Sequence, residues 1–569
     1  MKYRNDIDIL KGIAIIAVIL YHLGLVKSGY LGVDLFFVIN GFLIVPSVCK
    51  KTESKEFHYV KFLIERVMRL MPLLLLACGV SLLVGFYGML PDDYENLGQS
   101  IVASLVYSNN LLQSITTRDY WNVVNDYKPL MQTWYLGILM EYYVIFPLVP
   151  GIGSLLAKKN PEKGQKVTTI LLIICTVLSF GLYMMPGITD GFKFYWIPFR
   201  FWELSLGGIV GLLYQKSCEA KVLQNKWFSL GTSIVLTAVL LLGSGQWGLI
   251  LTVALGTILM AFHVQDIPEK GNVLIYLGKR SYSLFLWHQV VLAFYRYYFS
   301  SKITVPFLIG YFVVIILLSH VTYLLVEKKV KNTLNNVVIT AGVSAVMGVV
   351  SLLLYLHAGV VRDIPELDID KDNVHRNMHA EYVDRIYDYD VDFPEENGKI
   401  NVMIIGNSFA RDFGNILLES EMAEKVNISY SFDFSEELRE RLDTCDILFC
   451  FAAKDMVPYY VWEHVDEEMV WGIGTKSFGE NNGQIYRNRF SEDYFKQTII
   501  PNEEFEQTNK EWRESWNGNY IDMMEYARME DGSIRVFSHE NKFISQDCIH
   551  LTQGGARYYA QVIEWERVF

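Results

Sequence analysis

Cysteine is scarce in this chain and unpatterned. Seven occur in 569 residues, with no CxxC pair and no metal-ligand spacing. Cys49, Cys78, Cys175 and Cys218 fall in the first part of the chain, and Cys445, Cys450 and Cys548 in the last. An odd number in the last part leaves at least one thiol unpaired, so no disulfide framework is expected. Positive charge is scarce in the same region: residues 361–569 hold 21 Lys and Arg against 43 Asp and Glu. Such an acidic surface argues against nucleic acid as a partner. The N-terminus is not expected to be a cleavable signal, because Asp6, Asp8 and Lys11 interrupt the first apolar run and no small-residue cleavage site follows.

Apolar residues, by contrast, make up 51% of the chain, and the mean hydropathy is +0.22. Both values suit a protein that is membrane-embedded in part. Stretches of spanning length fall near 7–25, 30–48, 70–90, 132–150, 168–186, 196–214, 227–243, 247–263, 282–299, 304–326 and 336–357. The run 98–113 is broken by Ser108, Asn109 and Asn110. If it does not span, alternate connections collect Lys50, Lys51, Lys55, Lys61 and Arg66; Lys158, Lys159, Lys163 and Lys166; Lys216, Lys221 and Lys226; Lys270, Lys279 and Arg280; and Lys328, Lys329 and Lys331. The other side keeps scattered cations such as Lys27, Arg118, Lys128, Lys193 and Lys302. This positive-inside pattern predicts ten core helices with both ends cytoplasmic, and an eleventh that carries the acidic part outside. Segment 98–113 then becomes a re-entrant or interfacial piece. The expected division is a membrane domain over 1–332, an eleventh helix over 333–358, an acidic linker over 359–398 and an outer domain over 399–569.

Within the first stretch lie Lys11 and His22. Their separation amounts to three helical turns plus roughly 20°, so both fall on one face about 16 Å apart along the axis. Asp8 sits one turn before Lys11 on nearly the same side. Ionisable groups in lipid mark a protein interior or a wet cavity; the alternative is that Lys11 snorkels and His22 marks the far interface. Asp34, in the first turn of the second stretch, is placed to orient the His22 imidazole, or it is an interfacial carboxylate at a helix N-terminus. Arg66 and Arg69 in RVMRLMP suit a phosphate or pyrophosphate, or serve topology. Arg200 with Glu203 reads as an internal ion pair. His288 and Glu327 add polar groups to later spans.

The motifs YRNDIDILKGIAIIAVILYH, GYLGVDLFFVINGFLI, RVMRLMP, SYSLFLWH and LLVEKKV, in this order over residues 1–331, resemble the acyltransferase-3 membrane O-acyltransferases. The resemblance implies that His22 is essential for acyl transfer, that Lys11 and His22 form the family's basic-residue-to-His pair, and that Arg66 and Arg69 belong to the acyl-donor site. The donor it implies is acyl-CoA, usually acetyl-CoA. The chain departs from the family at PLMQTWYLGILMEYY: Gln132 replaces the usual His, Leu139 and Met140 replace paired Glu, and Glu141 remains. Asn40 stands where Ser is common.

In the acidic part, KINVMIIGNSFARDFGNILL reads as a buried strand, a tight turn and a helix, with Ser408 at the turn. Near the C-terminus, SQDCIHLTQGGARYYAQVIEW carries Asp547 and His550 three residues apart before a helix. Asp547 can hold the imidazole tautomer and His550 can deprotonate Ser408, although a Ser in such a turn also serves as a helix cap. The set resembles an SGNH/GDSL-type esterase or acyltransferase domain, a small three-layer α/β fold. Asn407 replaces that family's usual Asp, and Ala452 and Ala453 stand where a Gly or Asn oxyanion donor is expected. Asn481 or Asn482 is the candidate replacement.

The expected function is acetyl transfer from cytosolic acetyl-CoA, across the bilayer of a bacterial cell membrane, to a hydroxyl of a cell-surface glycan. Two rival expectations remain. One is catalysis wholly in the membrane beside an inactive or glycan-binding outer domain. The other is a transporter of acylated glycan precursors.

Overall fold

The computed structural model describes residues 3–116, 126–157, 160–217, 226–262, 267–375, 378–395 and 398–569. Arg118, Lys158, Lys159, Lys221 and Cys218, used in the reading above, lie outside the described residues. The chain divides into two compact units, Met1–Tyr87 with Asn96–Leu353, and Gly88–Glu95 with Leu354–Phe569.

The first unit is helical. Its principal helices are α1 (Asn5–His22), α2 (Gly32–Glu53), α3 (Tyr59–Gly88), α4 (Trp134–Ile145), α5 (Pro161–Met184), α6 (Ile197–Ser217), α7 (Ser281–Tyr298), α8 (Val305–Thr322) and α9 (Leu334–Leu356). Among the described residues, six helical segments are long and apolar enough to cross a membrane: Gly29–Glu53, Tyr59–Gly88, Met131–Leu156, Lys163–Met184, Val305–Glu327 and Leu334–Leu356. Helix α1 stands outside this set because Asp6, Asp8 and Lys11 lie within its length. Apolar side chains on the outer faces, such as Ile309, Val313 and Leu317 of α8 and Val338, Val346 and Val349 of α9, are exposed. In water such faces would be a liability, but in lipid they are the natural exterior.

The run 98–113 is two helices, Pro91–Leu105 and Asn109–Thr116. Its asparagines turn inward: Asn109 Nδ2 donates to Thr133 Oγ1 at 2.7 Å, and Asn110 Nδ2 donates to Glu141 Oε1 at 2.8 Å.

Glycine sets the closest helix contact. On α6, Gly207 and Gly211 form a small-xxx-small pair against α2. A methyl group on Gly207 would sit 2.1 Å from the Val38 carbonyl oxygen, and one on Gly41 of α2 would sit 1.7 Å from that of Leu204. No side chain fits there, so the two backbones touch. This contact brings Asp34 of α2 up to Arg200 of α6.

The second unit is a three-layer α/β fold. Strands β1 (Ile400–Ile405), β2 (Val426–Ser431), β3 (Ile447–Cys450), β4 (Val470–Ile473) and β6 (Tyr520–Ile521) form a sheet in the order β2-β1-β3-β4-β6, while β5 (Thr498–Ile499) and β7 (Ile534–Arg535) form an antiparallel ribbon. All neighbours in the larger sheet are parallel, with Val402 opposite Ile428 and Ile447, and Phe449 opposite Trp471. A parallel sheet is covered on both faces, and the period of two is visible in the packing. Val402, Ile404 and Phe449 join the core under α10 (Ser408–Glu419) and α12 (Gln553–Val562). Met403, Ile405 and Leu448 join the opposite core, against Leu438, Leu442 and Trp516 of α11 (Glu503–Trp516). The stretch read as an acidic connector also packs into this unit. Ile386 is fully buried in the first core, and Arg385 Nε donates to Asn415 Oδ1 at 2.7 Å.

Candidate active site

In the helical unit, Lys11 of α1 and Arg66 and Arg69 of α3 share a cavity of about 420 Å³. Phe36, Ile39, Leu139 and Phe285 make its apolar wall, and Asn40, Tyr135 and Tyr143 its polar one. Asn40 Nδ2 donates to Tyr135 Oη at 2.9 Å, and Tyr143 Oη donates to Asn40 Oδ1 at 3.3 Å. Lys11 is paired with Asp8 at 3.3 Å, and Arg69 with the buried Glu327 at 2.9 Å. Arg66 differs from both. Its guanidinium lies over the Phe62 ring, and its buried Nε has no hydrogen-bond partner among the described residues. A buried unsatisfied donor in a cation-lined cavity suits an anion.

His22, at the C-terminal end of α1, is not in the wall of this cavity. Its ring lies 5.1 Å from that of His288 of α7, and the His288 ring lies 5.9 Å from that of Phe285. Phe285 does line the cavity, so one aromatic contact relates it to the two imidazoles. His288 is fully buried. Its Nε2 has no hydrogen-bond partner among the described residues. Arg296 of α7 fixes the end of α1, donating from Nη2 to the His22 carbonyl at 2.8 Å and pairing through Nη1 with Asp126 at 3.1 Å. Arg296 went unmarked in the sequence. A cation at the end of an apolar helix reads as interfacial, and its partner lies far away in the chain.

Asp34 requires a correction. It was expected to orient His22, but it forms an ion pair with Arg200, which also binds Glu203 at 2.9 Å. All three side chains are at most 4% exposed. The Gly41–Leu204 contact forces this pairing, and burial makes Arg200 the stronger claimant for the carboxylate. The Arg200–Glu203 pair is present as expected.

The α/β unit holds Ser408, His550 and Asp547 in one hydrogen-bonded chain. Strand β1 ends at Ile405, and Gly406 turns the backbone at φ +141°. Tyr430 Oη pins this turn by donating to the Gly406 carbonyl at 2.7 Å. Asn407 caps α10, its Oδ1 accepting from the Phe409 amide at 3.0 Å, so Ser408 is the first helical residue. The site lies where the strand order reverses about β1, at the carboxyl end of the sheet, which is the usual ligand crevice of such folds. Cys548, left-handed at φ +70°, bends the other loop so that Asp547 and His550 meet.

Ser408 Oγ lies 2.8 Å from His550 Nε2, and His550 Nδ1 lies 2.6 Å from Asp547 Oδ2. Asp547 Oδ1 also accepts the amides of Ile549 at 3.0 Å and His550 at 2.7 Å. Desolvation opposes its charge, but the bonds from His550 and these amides prevail and hold the carboxyl well below the usual carboxylate range. With Nδ1–H donated to Asp547, the Nε2 lone pair faces the Ser408 hydroxyl, the arrangement of a serine nucleophile with its general base. As the first helical residue, Ser408 also has a backbone N–H that the helix does not consume, near the positive end of the helix dipole.

Of the two candidate oxyanion donors, Asn481 and Asn482, the second has its amide occupied. Its Nδ2 donates to the carbonyls of Ser545 and Gln546, at 2.5 and 3.0 Å, deep in the unit. It braces the loop that carries Asp547. Asn481 Oδ1 accepts from the Gly483 amide at 2.5 Å.

A polytopic helical unit with a cation-lined cavity, joined to an α/β unit with a serine–histidine–aspartate chain, defines a membrane protein with a hydrolase-like or transferase-like site. Residues 4–324 match the acyltransferase domain of the acyltransferase-3 family, and the chain belongs to that family. It is 29% identical over 330 residues to a Staphylococcus aureus (strain MSSA476) protein named "Putative O-acetyltransferase", covering 54% of this chain and 53% of that one. It is 27% identical over 353 residues to O-acetyltransferase OatA of S. aureus (strain NCTC 8325), covering 58% and 57%. The chain thus spans about half the length of the curated relatives it matches. No solved structure matches it.

Proposed function

We propose that the protein is a membrane O-acetyltransferase of the bacterial cell envelope that works in two stages. In the helical unit, acyl-CoA is the donor substrate. Arg66, Arg69 and Lys11 bind its phosphates, and the acyl arm runs along the Phe36–Phe285 wall toward His288 and His22. His22 assists acyl transfer as base or acceptor. In the α/β unit, read as an SGNH-like domain outside the membrane, Ser408 takes the acyl group. His550 takes the Ser408 proton and gives it to the acyl carrier as that bond breaks; it then takes the proton of the attacking sugar hydroxyl of a surface glycan and delivers it to Ser408 Oγ as the acyl–serine bond breaks. Asp547 holds the tautomer and stabilises the imidazolium.

The observation that carries this reading is the Ser408–His550–Asp547 chain within an acyltransferase-3 protein. Mass spectrometry of surface glycans from cells carrying the parent chain, His22→Ala or Ser408→Ala provides the test. Either substitution is expected to abolish chain-dependent acetylation. Full acetylation with Ser408→Ala and none with His22→Ala would assign catalysis to the helical unit alone. The occupied Asn482 amide gives that second reading its support, since loss of one oxyanion donor slows acyl transfer by about 10²–10³.

A further inference from the structure

Against Phe409 and Asp412 of α10 lies a buried lysine that this reading leaves without a role. Lys476 follows β4, and its side chain is 1% exposed. Its ammonium is 3.0 Å from Asp412 Oδ2, itself 1% exposed, and 3.8 Å from the centre of the Phe409 ring. Each contact touches one half of the serine–histidine pair. Phe409 is the residue after Ser408, and its ring stacks on Phe451 at 4.5 Å. Asp412 Oδ2 also accepts the amide of Leu551, the residue after His550, at 2.9 Å. Arg411 Nη2 reaches the other oxygen, Oδ1, at 3.4 Å.

We propose that Lys476 is a positioning residue for the Ser408 site: its buried cation ties the turn that presents Ser408, through Phe409, to the loop that presents His550, through Asp412 and Leu551. The inference rests on Ser408 and His550 acting as nucleophile and base. The physical ground is that a buried ion pair gains little net stability over an apolar pair of the same size. A pair retained at this position is accounted for by geometry, where a displacement of 1 Å costs about 10²-fold in rate. The cation over the ring adds a directional contact. Burial pushes the Lys476 amine down, and Asp412 opposes that shift.

The test uses the full chain in detergent and two measurements. One is the labelling rate of Ser408 by a fluorophosphonate serine probe, quantified on the Ser408 peptide. The other is turnover of p-nitrophenyl acetate. Lys476→Met is expected to slow labelling and lower kcat together by about 10- to 100-fold, with KM within about twofold, because ester binding does not involve Lys476. The paired variant Lys476→Met/Asp412→Asn removes both charges yet leaves an acceptor for the Leu551 amide, so it keeps the fold. It is expected to stay at least about 10-fold slow. Parental labelling in either variant overturns the proposal. A parent chain whose Ser408 does not label instead overturns the nucleophile assignment, and this inference falls with it.

Discussion

Replacing Asp547 by Asn isolates what the aspartate contributes. The carboxylate accepts four bonds through two oxygens: from Nδ1 of His550 at 2.6 Å, the amides of His550 and Ile549 at 2.7 and 3.0 Å, and the Ser545 hydroxyl at 3.3 Å. Asparagine has nearly the same shape, so its single carbonyl oxygen can keep the two amide bonds. Its NH₂ group then faces Nδ1 and forces the imidazole to accept there, placing the proton on Nε2, opposite the Ser408 hydroxyl. Ser408 is left beside a donor and loses its base. The imidazolium formed during attack also loses its counter-charge. Where this tautomer inversion has been isolated, it lowers kcat about 10⁴-fold, which at 1.36 kcal/mol per decade is about 5.5 kcal/mol of transition-state stabilisation. Turnover of p-nitrophenyl acetate by the detergent-purified chain measures it, with His22→Ala as background so that only the α/β unit contributes. The expected result is a fall of about 10³–10⁴ in kcat with little change in KM. A loss under tenfold, with Ser408→Ala inactive, would refute the assignment of Asp547 to the tautomer.

Three further outcomes follow from the geometry. Arg66→Ala should weaken acetyl-CoA binding to the full chain by about 1.5–3 kcal/mol, the range for a charge-assisted hydrogen bond; equilibrium binding of radiolabelled acetyl-CoA checks this. Arg200→Met should destabilise the helical unit by about 3–5 kcal/mol, because it leaves Asp34 and Glu203 buried without their cation; thermal melting in detergent reads the effect, and an unchanged melting temperature would mean the triad is dispensable. Asp547 gives a pH dependence. Its carboxyl is held below the ordinary range in the folded chain, so its stabilisation is complete above the unfolded carboxylate pKa of about 3.9 and is lost as pH falls from there through the depressed folded value. Acid unfolding of Asp547→Asn should lack that component between pH 4 and the parent's acid limit.

The two units were legible to different degrees. Long-range register of the α/β unit was not readable, yet its chemistry was. Ser408 sits where a strand gives way to a helix, and Asp547 and His550 lie together before the next helix, so local signals identified all three and the fold had only to bring them together. In the helical unit, Lys11, Arg66 and Arg69 were marked because a cation in an apolar run is conspicuous, and all three line one cavity. His22 was equally conspicuous, but its neighbour was not readable: its ring faces His288, whose side chain sits in a later motif and comes close only through packing.

Asp34 and Asn482 meet partners other than those the sequence suggested, for one physical cause. Asp34 and Asn482 are polar groups whose partners are fixed by backbone approach, and backbone approach is invisible in a residue pattern. Asp34 follows His22 closely in the chain, which suggested proximity, but the absence of a side chain at Gly41 lets α6 come within contact of α2. Arg200 then reaches the carboxylate. A guanidinium in a dry interior needs its anions more than a neutral imidazole does, so the carboxylate goes to the cation. Asn482 likewise lies in a segment that reads as a loop near the nucleophile, yet both its amide hydrogens meet carbonyls of the loop carrying Asp547. Since a buried amide donor left unpaired costs about 1–3 kcal/mol, an asparagine so enclosed is committed to the scaffold. The Ser408 amide at the α10 N-terminus, which the helix does not consume and where the dipole favours negative charge, stays open to a ligand oxygen.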